Sequence, residues 1–487
     1  MGIVQNQSIK NTIITFFGFG IGAINALFLY THILEKDHYG IVTTLLSFAA
    51  IMMPILAFGA QNTLIRFFSH YKTQKERDEF LTFMLFFPLY LMVPVGVLFF
   101  VFYQPISNVW IQENPSLKPF FWMIPVVGLF MAYFELFYAW VKVHMQSVIG
   151  NFISEVFVRL IVMVLLVLVY FEVISKATFI YSLVAAYFFQ LFAMCFYAFS
   201  IKMPVFNFVV PNNFKDLVQY SFFIIISGGV AVMLIDFDKV MIAHYMHVSN
   251  NSLYAVAIFI STVIAVPSRA MTQIVAPITA KLMVENKMEE LNDLYKKSAI
   301  NLQIIGGFIM MLIFLNIKEL YFFIPDYKSG ISVVFMIGLS KFYDVLLGNN
   351  NSIIVNTKYY RTVLLFGIFT VLLMVVLNMI FIPLYGIEGA AFATLLTIIF
   401  YNTVKLFYVI VKLNLNPFTL KTVHSFGILI TCFLLFYFWD FKFHPIINIL
   451  LKSVLITLFY LVSNYKFNIS QDFNKVVLSI LKRFKMA

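Results

Sequence analysis

Charged side chains are scarce in this sequence of 487 residues. Asp, Glu, Lys and Arg together make up only 11% of the chain, whereas soluble domains carry about 25%. Hydrophobic residues make up 62%, and the mean hydropathy is +0.93. A soluble fold cannot bury that much apolar surface. The composition therefore excludes a soluble globular protein and indicates membrane-spanning segments.

Cysteines and the common catalytic motifs are also scarce. The two cysteines, Cys195 and Cys432, fall in apolar stretches, so neither a disulfide framework nor a metal cluster is expected. No Gly-Lys pair occurs, which argues against a glycine-rich loop that cradles nucleotide phosphates. His144, His244 and His247 have no partners at zinc-binding spacing. The sequence therefore predicts no cofactor and no metal site.

Long apolar runs recur from one end of the chain to the other. A helical span needs roughly 20 consecutive apolar residues. Runs such as Leu160–Phe171 are apolar on every face, so the alternation that a membrane barrel requires is missing. We predict an all-α polytopic membrane protein of about fourteen spans. The predicted spans are 9–30, 41–65, 80–103, 120–141, 152–171, 179–199, 217–235, 253–278, 300–323, 331–347, 363–382, 389–411, 423–439 and 446–462.

The net charge of +11 is unevenly distributed between the two sides of these spans. One set of alternate gaps, with both termini, holds 22 Lys and Arg residues, including Lys405, and the other set holds 7. The positive-inside rule then places both termini in the cytoplasm, which requires an even number of spans. A nucleic-acid partner is not expected, because binding would need a basic patch on a folded soluble face.

Several stretches are typical of a known family. They are ILEKDHYGI and LAFGAQNTLIRFF near the start, LIDFDKVMIAHYM followed by SLYAVAIFIS in the middle, and IPLYGIEGAAFATLL at 382–396. Over essentially its whole length, the chain resembles the polysaccharide flippase branch of the multidrug/oligosaccharidyl-lipid/polysaccharide exporter superfamily. One departure is IPDYKSG, where Pro325 and Asp326 replace the glycine and glutamate usual in the family.

The resemblance implies two six-helix lobes around a central cavity, two extra helices, and alternating access by rocking of the lobes. An internal repeat agrees with this, because Tyr39 and Tyr254 are each followed, some fifteen residues on, by a proline, Pro54 or Pro267. The alternative is that glycine and proline are simply common in membrane helices. The predicted divisions are lobes at 1–210 and 211–420, two spans at 421–463 and a tail at 464–487. Apolar spacing from Ser470 to Met486 predicts an amphipathic tail helix at the cytoplasmic interface, either an anchor or a regulatory or partner-binding element.

The resemblance also implies a substrate made of an undecaprenyl-type lipid, a diphosphate and an oligosaccharide. We therefore predict a flippase of the bacterial inner membrane that acts in O-antigen and lipopolysaccharide biosynthesis without covalent chemistry. Its partners would be membrane lipid and the lipid-linked glycan, together with polysaccharide polymerase and chain-length proteins. One alternative is a multidrug or cation-coupled exporter of the same fold. The other is a polysaccharide polymerase or glycosyltransferase, which the short outer gaps, such as 172–178 and 383–388, disfavour.

Ionisable residues inside spans are the candidate site residues, because each is costly in hydrocarbon and usually faces a cavity. Arg269 lies about ten residues, or roughly 15 Å, from the end of its span, close to the midplane. The planar guanidinium suits a diphosphate, so Arg269 is predicted either to contact the substrate or to pair with an acidic residue. Arg159 follows Glu155 by four residues, which favours an ion pair or a substrate contact. Arg66 is predicted to capture the anionic headgroup, unless it only follows the positive-inside rule.

The other candidates are acidic residues and lysines that would line the cavity or couple an ion or proton to transport. Asp236 and Lys239 are three residues apart, as are Lys341 and Asp344, and at this spacing the two charges of a pair can also neutralise each other. Lys452 is expected to extend its ammonium to the membrane surface. The candidates are Glu135, Asp236, Asp238, Lys239, Lys341 and Asp344.

Overall fold

The computed structural model describes residues 2–205, 207–357, 360–439, 441 and 443–485. This part of the chain contains helices, turns and extended connections but no strand, which confirms the predicted all-α fold. Lys358 and Lys442, two of the Lys and Arg residues counted above, and Met486, at the end of the predicted tail helix, lie outside the described residues.

The helices pack into two compact units. The first comprises 1–255 and 378–386, and the second comprises 256–377 and 387–487. These bounds reflect which helices pack together in this structure. The predicted division into two lobes, two further spans and a tail stays a prediction.

The first unit contains twelve of the described helices, the beginning of a thirteenth and a short piece of a later one. Two π-helices, Asn25–Leu29 and Ile153–Phe157, interrupt longer helical segments, and Phe68–His70 and Pro115–Leu117 are 3-10 turns. The α-helices are α1 (Gly2–Ile24), α2 (Tyr30–Ile33), α3 (Lys36–Leu56), α4 (Ala60–Phe67), α5 (Gln74–Phe86), α6 (Leu89–Val101), α7 (Tyr103–Ile111), α8 (Met123–Val143), α9 (Ser147–Phe152), α10 (Val158–Tyr170), α11 (Lys176–Ile201), α12 (Phe214–Tyr245) and α13 (Ser249–Thr262).

Aromatic side chains fill the core of the first unit around α8. Trp140 is fully buried there, in one cluster with Phe83 and Phe87. Between α3 and α4, Phe58 and Gly59 both have positive φ, which ends the first helix and redirects the second. A Cβ on Gly59 would lie 2.8 Å from the carbonyl oxygen of Ser221, so glycine permits a close approach of α12 at this break.

The second unit contains the remaining described helices. Val263–Ala265 and Pro325–Gly330 are 3-10 segments. The α-helices are α14 (Val266–Val284), α15 (Met288–Leu315), α16 (Ile317–Leu320), α17 (Ile331–Leu346), α18 (Asn350–Val355), α19 (Tyr360–Leu413), α20 (Leu420–Phe436), α21 (Pro445–Lys466) and α22 (Gln471–Lys485). The predicted tail helix is thus present as α22.

Eleven described helices are long and apolar enough to cross a membrane, or twelve if the bent pair Phe214–Val230 and Val232–Tyr245 is one span. The chain is therefore a multi-pass membrane protein. The predicted number of fourteen would also require α20, which has 17 residues, to cross and α19 to cross twice. As one straight helix, the 54 residues of α19 would be about 81 Å long at 1.5 Å per residue, more than twice the bilayer core.

The break that would divide α19 lies at one residue. Gly386 has φ 60° and ψ −136°, while the residues on both sides are helical. The predicted outer gap at 383–388 is therefore wrong as a loop, because Pro383 and its neighbours continue the helix up to Gly386. The stretch between the predicted spans 253–278 and 300–323 is also mostly helical, since α14 ends at Val284 and α15 begins at Met288.

Candidate functional site

Arg159 forms the ion pair that its spacing from Glu155 predicts. The pair lies where the π-helix Ile153–Phe157 meets α10, and Arg159 Nη1 is 2.9 Å from Glu155 Oε2. The same nitrogen donates to the backbone carbonyl of Glu155. A guanidinium has five N–H donors, and the Arg159 side chain is 36% exposed. Donors that the Nη1 bonds do not use are therefore available to a ligand.

Close packing of the first helical segment against the π-helix positions this pair. A Cβ on Gly18 would lie 2.5 Å from the carbonyl oxygen of Glu155 and 2.8 Å from Arg159 Nη1. Asn25, in the other π-helix, donates from Nδ2 to the carbonyl oxygen of Arg159 at 2.8 Å. Sequence reasoning missed both contacts. The two signals were a glycine and an asparagine in an otherwise apolar span.

Arg66 lies near the end of α4 with its guanidinium carbon 4.4 Å from the centre of the Tyr220 ring. The contact is a cation–π interaction, which holds the side chain without neutralising its charge. Arg66 is exposed, and no carboxylate in the described part of the chain lies within 4.0 Å of it. It can meet an anionic group without breaking an ion pair.

The predicted charge cluster late in α12 separates into two sites. Lys239 Nζ lies 2.8 Å from Asp236 Oδ1, and Ser47 Oγ donates to the same oxygen at 3.0 Å. Asp236 and Lys239 therefore form an ion pair, which agrees with mutual neutralisation, one of the two predicted alternatives. A role of the pair in coupling stays a prediction.

Asp238 has different partners. Its residue is 3% exposed, and its carboxylate accepts hydrogen bonds from Tyr254 Oη at 2.6 Å and Asn378 Nδ2 at 2.8 Å. Sequence reasoning did not identify Tyr254 or Asn378 as partners, because they are 16 and 140 residues away along the chain. Two polar side chains thus hold a buried carboxylate in the first unit.

Tyr187 of α11 connects the arginine site with the α12 pair. It is half-buried and interacts electrostatically with both Arg159 and Asp236. Glu135, half-buried on α8, interacts electrostatically with Glu155. The structure therefore brings Glu135, Arg159 and Asp236 into one electrostatic neighbourhood, with cationic and anionic groups interspersed.

Arg269 belongs to the second unit, on α14, where its side chain is exposed. Within 2–205, 207–357, 360–439, 441 and 443–485 no carboxylate lies within 4.0 Å of its guanidinium. A structural ion pair, the alternative to substrate contact, is therefore not formed with a described residue. The arginine keeps its full set of donors.

The predicted Lys341 and Asp344 lie half-buried on α17. Asp344 accepts a hydrogen bond from Asn402 Nδ2 at 3.1 Å. One turn further along α19 is Lys405, which is only 2% exposed, donates to Asn351 Oδ1 at 2.8 Å and lies 4.0 Å from the centre of the Tyr401 ring. Lys405 is therefore a buried residue of a helix rather than part of a gap, and its place on the cytoplasmic side stays a prediction.

The described side chains of the candidate site offer charge and hydrogen bonding. Among them, no group of three or more His, Cys, Asp or Glu residues is placed to hold a metal ion. The arginines in the two units can bind an anionic group.

Comparisons with known proteins give a family match. A profile of the family described as "Polysaccharide biosynthesis protein" matches residues 5–283, more than half of the chain. A search of curated proteins finds no match.

Solved structures share the fold over most of the chain. A structure of the lipid II flippase MurJ in an inward closed conformation superposes with a TM-score of 0.71 at 16% identity, covering 95% of this chain and all of that one. An inward-facing multidrug resistance transporter of the MATE family, in the MOP superfamily, superposes with a TM-score of 0.58 at 12% identity. The match covers 85% of this chain and 95% of that one. A MOP superfamily transporter from Pyrococcus furiosus, whose binding pocket is described as having reverse polarity, superposes with a TM-score of 0.54 at 10% identity. The match covers 84% of this chain and 96% of that one.

Proposed function

Because this chain belongs to the polysaccharide biosynthesis protein family and has the fold of MOP superfamily transporters, we propose that it flips an undecaprenyl-diphosphate-linked glycan across the membrane. The glycan is an oligosaccharide or a polysaccharide repeat unit. The protein moves it by alternating access and makes or breaks no covalent bond. The resemblance seen in the sequence motifs is confirmed by the family match.

The observation that supports the substrate assignment is that three arginines keep hydrogen-bond donors that no described carboxylate uses. Arg66 and Arg269 have no carboxylate within 4.0 Å among the described residues, and Arg159 is 36% exposed beside its partner. An unpaired arginine within a span costs about 2.5 to 3.5 kcal/mol on insertion scales, so it is usually retained for a function. Guanidinium groups bind phosphate oxygens in a bidentate manner, which suits the diphosphate.

The location, topology and partners of the protein are part of this proposal. The protein works in the bacterial inner membrane, with both termini in the cytoplasm and fourteen spans, and serves O-antigen or lipopolysaccharide biosynthesis. Polysaccharide polymerase and chain-length proteins receive the exported glycan. Cysteine labelling at Lys75 and Glu290 should report the inside and at Lys118 and Asp326 the outside. Labelling of Lys475 from outside would refute this topology.

The test of substrate binding is replacement of Arg269. In a deletion strain that carries the plasmid-borne gene, Arg269→Ala should leave protein abundance in the membrane near normal and abolish glycan export. Arg269→Lys should restore part of the export, because the charge remains while the bidentate contact is lost. Lys412→Ala is the matched control, since Lys412 is an exposed cation of the same unit in the last turn of α19. The control should export normally.

Two outcomes would contradict the proposal. Full export by Arg269→Ala at normal abundance would remove this residue from the site. Normal surface glycan in the deletion strain, together with raised sensitivity to drugs, would favour a multidrug exporter. The buried Asp238, held by Tyr254 and Asn378, is the observation that favours this second function, because a carboxylate inside a span suits a cationic substrate or ion.

A further inference from the structure

A small cavity of about 240 Å³ lies in the second unit where α15, α20 and α22 meet. Three lysines line it, Lys296 and Lys297 from α15 and Lys421 from the first turn of α20. Two aspartates, Asp293 and Asp472, lie in the same lining. None of these residues belongs to the candidate transport site described above.

The described lysines of the protein include ion-paired ones and, like those of the cavity, others with no described carboxylate within 4.0 Å, such as Lys118 and Lys412. Lys75, Lys202, Lys281 and Lys287 each lie within 4.0 Å of a carboxylate. Lys296, Lys297 and Lys421 have no such partner among the described side chains, although two carboxylates line the same cavity. Three lysines therefore line one cavity, and none of them forms an ion pair with a described carboxylate.

Hydrogen bonds fix the part of the lining that Ser470 and Asp472 form. Ser470, which is 5% exposed, donates from Oγ to Asn301 Oδ1 at 2.5 Å. Asn301 in turn donates from Nδ2 to Asp472 Oδ2 at 3.2 Å. These bonds hold the beginning of α22 against α15, so the cavity is a built feature of the fold rather than a gap between mobile side chains.

We propose that this cavity binds the phosphodiester headgroup of an anionic glycerophospholipid. Its three cationic and two anionic side chains give a local net charge of +1, which one phosphodiester group neutralises. The volume is below the roughly 300 to 1,000 Å³ of pockets for drug-sized ligands, so it accommodates a headgroup while the acyl chains stay in the membrane. Basic pockets between membrane helices are known to take such headgroups.

Binding would join three elements through one ligand. Lys296 and Lys297 are on α15, Lys421 is on α20, and Ser470 caps α22 by accepting a hydrogen bond from the backbone N–H of Phe473 at 3.3 Å. An anionic lipid in the cavity therefore stabilises the docked position of the tail helix. This inference does not depend on which substrate the protein transports.

Lysine footprinting of the full-length wild-type protein tests the site without any substitution. The protein is placed in nanodiscs of phosphatidylcholine, with or without phosphatidylglycerol, and acetylated with an amine-reactive reagent. Phosphatidylglycerol should slow acetylation of Lys296, Lys297 and Lys421 and leave Lys281 and Lys287 unchanged. Equal slowing at all five lysines, or at none, would overturn the proposal. Protection by inorganic phosphate in phosphatidylcholine discs would assign the site to free phosphate and overturn the lipid assignment.

Variants give a second, independent measurement. The triple variant K296Q/K297Q/K421Q is compared with K75Q/K281Q/K287Q, which removes three cations from outside the cavity. Native mass spectrometry of the detergent-purified proteins measures the retained phosphatidylglycerol. Each lysine near an anionic lipid surface typically strengthens binding several-fold, since about 1.4 kcal/mol corresponds to a tenfold change in affinity. Loss of three lysines should therefore lower the affinity for phosphatidylglycerol on the order of 100-fold, and only in the cavity variant. Similar retention by the two variants would refute the site.

Discussion

The buried ion pair between Glu319 and Lys452 offers a quantitative test of the second unit. Lys452 Nζ, on α21, lies 2.8 Å from Glu319 Oε1 on α16 and also donates to the carbonyl oxygen of Leu315 at 3.2 Å. The two residues are 4% and 9% exposed. The expectation that Lys452 extends to the membrane surface is therefore wrong, because its ammonium is held inside the protein.

Removal of one partner leaves the other charge buried without compensation. Lys452→Met and Glu319→Met should each lower the free energy of unfolding by about 3 to 5 kcal/mol. The double variant should recover most of that loss, since replacing a buried ion pair by apolar side chains of similar volume is often neutral or stabilising. The difference between the double variant and the sum of the single variants is the coupling free energy of the pair.

The assay is unfolding of the purified protein in mixed micelles by increasing fractions of sodium dodecyl sulfate, followed by circular dichroism. Lys328→Met is the control, because Lys328 is exposed in the 3-10 segment Pro325–Gly330 of the same unit. Single variants that lose less than about 1 kcal/mol, with an additive double variant, would show that the pair behaves as a solvent-exposed one and would refute this reasoning.

Two glycine substitutions test backbone features. Gly386→Ala should reduce the free energy of unfolding by about 1 to 3 kcal/mol, because φ 60° with ψ −136° is strained for an L residue. Gly427→Ala is the control and should not reduce it, because Gly427 lies in a helix with open space around it. Equal unfolding midpoints for the two variants would contradict this prediction. Gly18→Ala should displace Arg159 and impair glycan export at normal abundance, since the new Cβ would meet the backbone oxygen of Glu155. Gly20→Ala, with nothing within 4 Å, should export normally, and full export by both variants would count against a role for this contact.

The sequence predicts the helical class because composition alone requires it. A chain with 62% hydrophobic residues and few charges must expose apolar helices to lipid, and local spacing then predicts pairs that are close along a helix. The Arg159–Glu155 and Lys239–Asp236 ion pairs are of this kind, at four and three residues. Their contacts follow from helix geometry without any knowledge of the fold.

Contacts between distant segments could not be predicted in the same way. Glu319 and Lys452 are 133 residues apart, and the partner Asn378 is 140 residues from Asp238. Which helices meet depends on packing in three dimensions, and one sequence contains no measure of it. Pro383 illustrates a different failure. Its surroundings predict a loop, yet one glycine supplies the whole backbone break and the flanking residues stay helical.

The two π-helices mark places where the chain can gain or lose one residue with only a local change in structure. A π-turn contains one residue more than the α-helical turn it replaces, and such turns frequently lie at functional sites. Deletion of one residue within Ile153–Phe157 would convert the π-turn into an α-helical turn, keep the span apolar and leave the flanking segments in nearly the same rotational phase. Hydropathy would not register this deletion, but the wide turn that places the backbone of Glu155 against Gly18 would be lost. One-residue gaps at Asn25–Leu29 and Ile153–Phe157 in an alignment of homologues would therefore mark a local change of structure beside Arg159.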